Sequence, residues 1–201
     1  MSETKNQSTL SGEQARALTA IGQWLKAFEK NGNPQFLTLG GYAGTGKTTL
    51  LAALRTILNT NRPEIRISFA AFTGKAALVL KHKLKTDNIM QRGDSVSTLH
   101  SLMYHSEGSK DSAPSWRKRD ELKADLIVVD EASMVSEEIW QDLLSFGKPI
   151  LAVGDHGQLP PIGSNFNLMD EPNLRLEKIW RQAADSPIIS LATLARTSGE
   201  L

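Results

Sequence analysis

The sequence predicts an α/β fold in which a parallel sheet is covered by helices on both faces. Three observations point there. Short, predominantly apolar runs such as Phe36-Leu37-Thr38-Leu39 and Leu126-Ile127-Val128-Val129 alternate with longer segments of helical periodicity. Those runs lack the in–out alternation of a strand with one wet face, so both of their faces are expected to be buried. A glycine-rich segment, Gly41-Tyr42-Ala43-Gly44-Thr45-Gly46-Lys47-Thr48, joins the first run directly to a helical one.

Each element follows from local chemistry. Residues 1–9 are polar, have no apolar core, and are expected to be disordered. Ser11 can cap a helix reaching Lys30, with Ala17, Ile21, Trp24, Leu25 and Phe28 along one face. Asn31-Gly32-Asn33-Pro34 stops it. Phe36 to Leu39 is the first strand, and a helix follows from Lys47 to about Leu58. Ile65 to Phe72 is the next strand and Gly74 to Leu84 the next helix. Residues 85–96 read as a polar loop and Ser97 to Tyr104 as a helical turn. His105 to Pro114 is rich in Ser, Gly, Asp and Pro, which predicts an exposed insertion over about residues 105–120. Strand Leu126 to Val129, helix Ser136 to Phe146, strand Pro149 to Val153 and a last helix from Pro187 to Thr197 complete the pattern. Trp24 and Trp140 lie at apolar helical spacing and are assigned to the core. One domain over residues 10–201 is expected. The end at Gly199-Glu200-Leu201, directly after a helix, suggests a fragment boundary or the start of a further domain.

Composition narrows the class. The chain has 201 residues, 40% hydrophobic and 22% charged, enough for a sizeable core. The absence of cysteine excludes disulfides, iron–sulfur clusters and cysteine-based zinc sites, and fits a reducing compartment. No apolar run approaches the ~20 residues of a membrane helix. A soluble, cytoplasmic protein with no membrane partner is expected. The net charge is +1, but Lys75 to Arg119 holds nine basic against four acidic side chains, leaving the rest of the chain acidic. A basic middle suits a second polyanion besides any bound phosphate, or is solvated surface.

The glycine segment carries the most specific chemistry. Gly41-x-x-x-x-Gly46-Lys47-Thr48 follows a strand and opens a helix, the context a phosphate-binding loop requires. Its glycines let backbone N–H groups turn around phosphate oxygens, and the helix N-terminus adds partial positive charge. Gly41, Ala43, Gly44, Thr45, Gly46, Lys47, Thr48 and Thr49 are therefore assigned to a nucleoside triphosphate such as ATP, with Lys47 on the β and γ phosphates and Thr48 on Mg²⁺. Asp130 and Glu131 end a buried strand, where ligands gather in open α/β sheets. Asp130 is the second Mg²⁺ candidate, and Glu131 a candidate base orienting the attacking water. Gln158, in Gly154-Asp155-His156-Gly157-Gln158-Leu159-Pro160-Pro161, can accept from that water and donate to the γ phosphate, or belongs to an ordinary turn.

These segments together resemble the motor core of superfamily 1 DNA helicases, in particular the RecD-like branch. The resemblance rests on Phe72-Thr73-Gly74-Lys75-Ala76-Ala77, Thr98-Leu99-His100, Asp130-Glu131-Ala132-Ser133-Met134, Gly154-Asp155 with Gln158-Leu159-Pro160-Pro161, and Ile179-Trp180-Arg181-Gln182. It covers about Leu10 to Gly199 and implies a RecA-like ATPase domain with a small insertion before the acidic strand. The resemblance further implies that Gln14 reads the adenine edge and that Arg181 contacts the γ phosphate. Thr73, Gly74 and Lys75, with Thr98 and His100, correspond to segments that grip single-stranded DNA. The insertion falls where relatives carry a small extra subdomain or a pin that splits duplex, and Trp116 and Tyr104 beside Arg117-Lys118-Arg119 are either packing residues or candidates for stacking on bases and holding phosphates. Relatives continue into a second RecA-like domain, so the isolated chain is not expected to unwind DNA. Movement of the intact protein is expected to be 5′-to-3′. Two other readings stay open on the residues alone: a small P-loop nucleoside kinase, and a nucleotide-gated DNA clamp with negligible turnover.

Overall fold

The computed structural model describes residues 10–107, 115–158 and 166–179. Helix α1 (Gly12–Asn31) begins at a reciprocal cap. The Ser11 hydroxyl accepts the Gln14 N–H at 3.0 Å, and the Gln14 carboxamide oxygen accepts the Ser11 N–H at 2.9 Å. Gly32, at φ 70°, closes the other end by donating to the Phe28 carbonyl. Along the chain follow β1 (Phe36–Gly41), α2 (Lys47–Asn61), β2 (Ile67–Ala71), α3 (Gly74–Thr86), β3 (Ser95–Thr98), α4 (Leu99–Met103), β4 (Tyr104–Glu107), β5 (Ser115–Lys118), β6 (Leu126–Asp130), a 3₁₀ turn at Ala132–Met134, α5 (Glu137–Leu144), β7 (Ile150–Gly154) and β8 (Leu174–Leu176).

Six strands form one parallel sheet in the order β3-β2-β6-β7-β1-β8. The two faces of β6 show why its sequence is apolar at every position. Leu126 and Val128 pack with Leu39, Phe69, Leu50 and Leu54 of α2, Leu80 and Leu84 of α3, and Ile21 and Trp24 of α1. Ile127 and Val129 point the other way, into a second core with Leu99 and Met103 of α4 and Trp140 and Leu143 of α5. Helices thus cover both faces, as the unbroken apolar runs predict.

Three elements depart from expectation. Ser97 and Thr98 belong to edge strand β3, not to a helical turn, which begins only at Leu99. Edge strand β8 has only three residues, one of them Arg175. An edge strand is short and partly polar because solvent replaces one neighbour, so its period-2 signal is weak. The base of the exposed insertion, for which the sequence predicts no strand, is a strand pair. Its ends, β4 and β5, pair antiparallel, with Tyr104 opposite Lys118 and Ser106 opposite Trp116. The expected disorder of residues 1–9 and the helix from Pro187 to Thr197 lie outside the described residues.

A buried ion pair fixes α2 against the sheet. Arg55 Nε donates to Asp94 at 2.8 Å, with side-chain exposures of 1% and 0%. Asp94 also accepts the backbone N–H of Ile67, at the start of β2, and of Gln91, each at 2.9 Å. No helix among the described residues is long and apolar enough to cross a membrane.

Candidate active site

The loop after β1 has the backbone a phosphate cradle needs. Gly44 and Gly46 adopt φ of 89° and 85°, the left-handed region that side chains resist. A Cβ on Gly41 would lie 2.6 Å from Thr45 Oγ1, so the loop closes on itself only with glycine there. Thr45 secures the turn by donating its hydroxyl to the Tyr42 carbonyl at 2.9 Å. Gly46 caps α2 without a side-chain hydrogen bond, so no capping side chain occupies the helix N-terminus where it meets the loop. Lys47 Nζ is held at the same loop, donating to the carbonyls of Gly41 at 2.5 Å and Tyr42 at 3.2 Å.

The acidic pair ends β6 on the same edge of the sheet. One strand, β7, separates β6 from β1, so their ends are about 10 Å apart at ~4.8 Å per strand. A groove of about 490 Å³ opens at this end of the sheet, lined by Thr48 of α2, Thr73, Lys75 and Lys83 of α3 and its cap, Asp130, Glu131 and Met134 after β6, and Gln158 among others. Thr48 and Asp130 therefore share one pocket. Burial pushes the Asp130 carboxyl above its ordinary range, and the Glu131 charge adds to the rise. The Glu131 N–H, Lys47 and Lys83 oppose it. Glu131 stands at φ 56°, ψ 39°, a left-handed backbone that costs a non-glycine residue of order 1–3 kcal/mol. Its N–H returns to Asp130 Oδ1 at 3.0 Å.

Gln158 is held by a buried neighbour of the acidic pair. Ser133, itself buried, donates its hydroxyl to Gln158 Oε1 at 2.8 Å. The backbone before Gln158 is shaped by Asp155, whose Oδ1 takes the Gly157 N–H at 2.9 Å and whose carbonyl takes the Gln158 N–H at 3.2 Å. Ser133 and Lys83 were not singled out by sequence reasoning. Lys83 had a readable signal, since Lys75, Val79 and Lys83 repeat at i, i+4, i+8 and line the groove from α3. Ser133 stood within the Asp130–Met134 segment, but nothing local assigned it to Gln158, which lies 25 residues away.

Gln14 is not a solvent-facing helix residue. It is 6% exposed, its oxygen serves the α1 cap, and its amide nitrogen lies 3.4 Å from the Thr45 carbonyl and 3.5 Å from that of Gly46. Thr49, in the first turn of α2, is half-buried and lies 3.9 Å from where a Cβ on Gly46 would sit. Ala43 is exposed on the loop. Arg181, Pro160 and Pro161 lie outside the described residues.

The remaining predicted contacts form two groups. Thr73 caps α3 by accepting the Ala76 N–H at 3.2 Å, and with Lys75 it opens on the groove, while Gly74 has open space at its Cβ position. Thr98 caps α4 through the Ser101 N–H. His100 is sandwiched by aromatics, 4.7 Å from Tyr104 and 4.5 Å edge-on from Trp116, which is 56% exposed. The basic run beside them is partly engaged. Lys118 donates to Asp142 at 2.6 Å, Arg117 pairs with Glu107 at 3.2 Å, and Arg119 donates to the Ser101 carbonyl at 3.4 Å. Tyr104 also donates to Asp142. Burial and that carboxylate push its phenol up to about 12.

A parallel sheet flanked by helices, with a glycine loop after β1 and an acidic pair after β6, defines an α/β P-loop domain of RecA-like fold. The chain belongs to the AAA domain family, whose model matches residues 9–200. It is 31% identical over 168 residues to the ATP-dependent RecD2 DNA helicase of Deinococcus radiodurans, across 79% of this chain and 21% of that protein. It is 29% identical over 176 residues to the ATP-dependent DNA helicase dda of Enterobacteria phage T4, across 80% of this chain and 37% of that protein. Its fold is similar to that of the Pif1 helicase from Candida albicans, with a TM-score of 0.55 and 20% identity over 94% of this chain and 44% of the other. These relatives bear out the resemblance to RecD-like helicases read from the motifs. The chain spans about a fifth to two-fifths of the length of the two curated relatives.

Proposed function

We propose that this chain is the ATP-binding and hydrolysing motor domain of a DNA helicase, working with Mg²⁺ and acting on single-stranded DNA from the cytoplasm. The observation that carries the reading is the single groove shared by Thr48, Asp130, Glu131 and Gln158, next to the loop that holds Lys47. The residues fit the group they would hold. The loop offers a glycine cradle that a Cβ would fill. The Thr48 hydroxyl and the Asp130 carboxylate are hard oxygen donors, and two such ligands with phosphate oxygens suit a small octahedral cation. When bound, Mg²⁺ would be held by Thr48 and Asp130 and would supply neutralisation of the phosphate charge.

Gly41, Ala43, Gly44, Thr45 and Gly46 bind the phosphates through backbone N–H groups. Lys47 exchanges its loop carbonyls for phosphate oxygens. Thr49 supports the first turn of α2, and Gln14, against the carbonyls of Thr45 and Gly46, reads the adenine edge. Glu131 orients the attacking water and takes its proton. Gln158, aimed by Ser133, contacts both that water and the terminal phosphate. Arg181 adds positive charge as the terminal phosphate separates. Thr73, Gly74, Lys75, Thr98, His100 and Trp116 form the DNA-facing side. The exposed Trp116 ring beside His100 supports base stacking there, because every base offers a π-face. The intact protein moves 5′-to-3′ by closing a second motor domain on the nucleotide, and its inserted hairpin separates strands.

The test is ATP turnover with and without single-stranded DNA at low salt, on this chain and on a longer form carrying the following domain. Mg²⁺-dependent turnover stimulated by DNA in the longer form is expected, with loss of at least a hundredfold in Lys47→Ala. Turnover retained in Lys47→Ala would overturn the phosphate assignment. Absence of DNA stimulation would overturn the motor assignment.

A further inference from the structure

Two aromatic residues beside the groove have no part in the roles above. Tyr42 is the second residue of the glycine loop, and His156 follows Asp155 at the end of β7. Their rings lie 4.2 Å apart at a tilt of 49°. Glycine clears the space on both sides of the pair. A Cβ on Gly157 would come 2.7 Å from Tyr42 Cε1, and a Cβ on Gly40 would come 2.9 Å from His156 Nδ1. That nitrogen is buried and makes no hydrogen bond among the described residues, so ring packing rather than a polar contact holds the imidazole.

The pair sits where the backbone stops connecting the two loops. β1 and β7 are hydrogen-bonded neighbours, but their pairing ends at Gly40 opposite Gly154. Beyond that point the glycine loop and the Gln158 loop leave the sheet separately. On one side of the rings, the Tyr42 carbonyl accepts from Lys47 Nζ and from the N–H and hydroxyl of Thr45. On the other side, His156 lies inside the short turn that Asp155 builds toward Gln158. A shift of the loop at Tyr42 therefore reaches Gln158 through one ring contact and two residues of constrained turn.

We propose that Tyr42 and His156 form an aromatic latch that positions Gln158 according to whether the glycine loop is gripping a triphosphate. Both are positioning residues, acting through Gln158. The latch rests on the reading that the glycine loop binds a triphosphate.

Hydrogen exchange by mass spectrometry tests it, with Mg²⁺ and the analogue ATPγS as the probe. In the parent chain the probe should slow exchange both at 41–48 and at 155–158. Tyr42→Leu, which removes the ring, should keep the slowing at 41–48 but lose most of it at 155–158, about fivefold or more. His156→Ala should reproduce that split, and Tyr42→Phe, which keeps the ring, should behave as the parent. Thermal melts establish that each variant is folded. If Tyr42→Leu does not fold, His156→Ala carries the same comparison from the other ring. Protection of 155–158 that survives in the folded ring-deleted variants overturns the latch while leaving the phosphate site standing. No protection at 41–48 in the parent chain overturns the phosphate reading itself, and the latch with it.

Discussion

Replacing Asp94 by Ala should be among the most damaging single changes away from the groove. The carboxylate is wholly buried and receives three hydrogen bonds, from Arg55 Nε and from the N–H groups of Ile67 and Gln91. Its removal strands the Arg55 guanidinium inside the fold. That group would keep only the Ile65 carbonyl at 3.3 Å, and its Nη1 already has no partner among the described residues. Breaking a buried pair from one side costs about 3–5 kcal/mol, because an uncompensated charge remains. For a domain of this size each kcal/mol moves Tm by about 2–4 °C, so the expected drop is roughly 6–20 °C. The assay is thermal and urea denaturation followed by circular dichroism. The double variant Arg55→Met with Asp94→Ala should recover part of the loss, since the stranded charge is gone and only neutral backbone groups, the N–H of Ile67 and Gln91 and the carbonyl of Ile65, lose their partners. A drop under about 1 kcal/mol in Asp94→Ala, or a double variant no more stable than the single, would refute the argument. The consequence reaches the site because α2 carries Lys47 and Thr48 at its first turn.

Three further outcomes follow from the geometry. Ser133→Ala should lower ATP turnover about two- to tenfold with nucleotide affinity unchanged, the value of one hydrogen bond that orients Gln158, and an equal loss of affinity would contradict this assignment. Trp116→Ala should weaken single-stranded DNA binding by roughly tenfold while leaving Tm nearly unchanged, since the ring is exposed and stacking contributes about 1–3 kcal/mol per base; unaltered binding would remove Trp116 from the DNA-facing side. Burial, partly offset by Asp155, lowers the His156 imidazole below its ordinary 6.5. A lowered folded-state pKa gives stability that is present above the unfolded value and lost as pH falls through the folded one, so His156→Phe should flatten part of the fall in Tm as pH drops below the ordinary imidazole value of 6.5. A variant whose Tm falls as steeply as the parent's would show that this histidine is not the titrating group.

Much of the fold was legible because its signals are local. The Ser11 cap, the glycine stop at Gly32 and the apolar face of α1 are all written within 22 residues and reappear in the structure. The four central strands were readable because strands buried on both faces are predominantly apolar, with Thr38 of β1 and Ser68 of β2 as buried polar exceptions. The glycine loop and the acidic pair were readable because their residue types, spacing and flanking elements belong to one chemistry. Edge strands β3 and β8 and the β4–β5 hairpin were not, since solvent on one side relaxes the pattern that would reveal them.

The sequence by itself determined a doubly covered parallel sheet, the loop at the end of its first strand and the carboxylates at the end of another. Those features depend on neighbours along the chain. Only the tertiary structure decided that Thr48 and Asp130 open on one groove, that Ser133 aims Gln158, that Gln14 lies against the glycine loop, and that Tyr42 meets His156. Each of these pairs residues from separate elements, brought together by a strand order that follows packing rather than sequence. No local pattern of residues encodes that order, because it is set by which apolar faces find each other when the chain collapses.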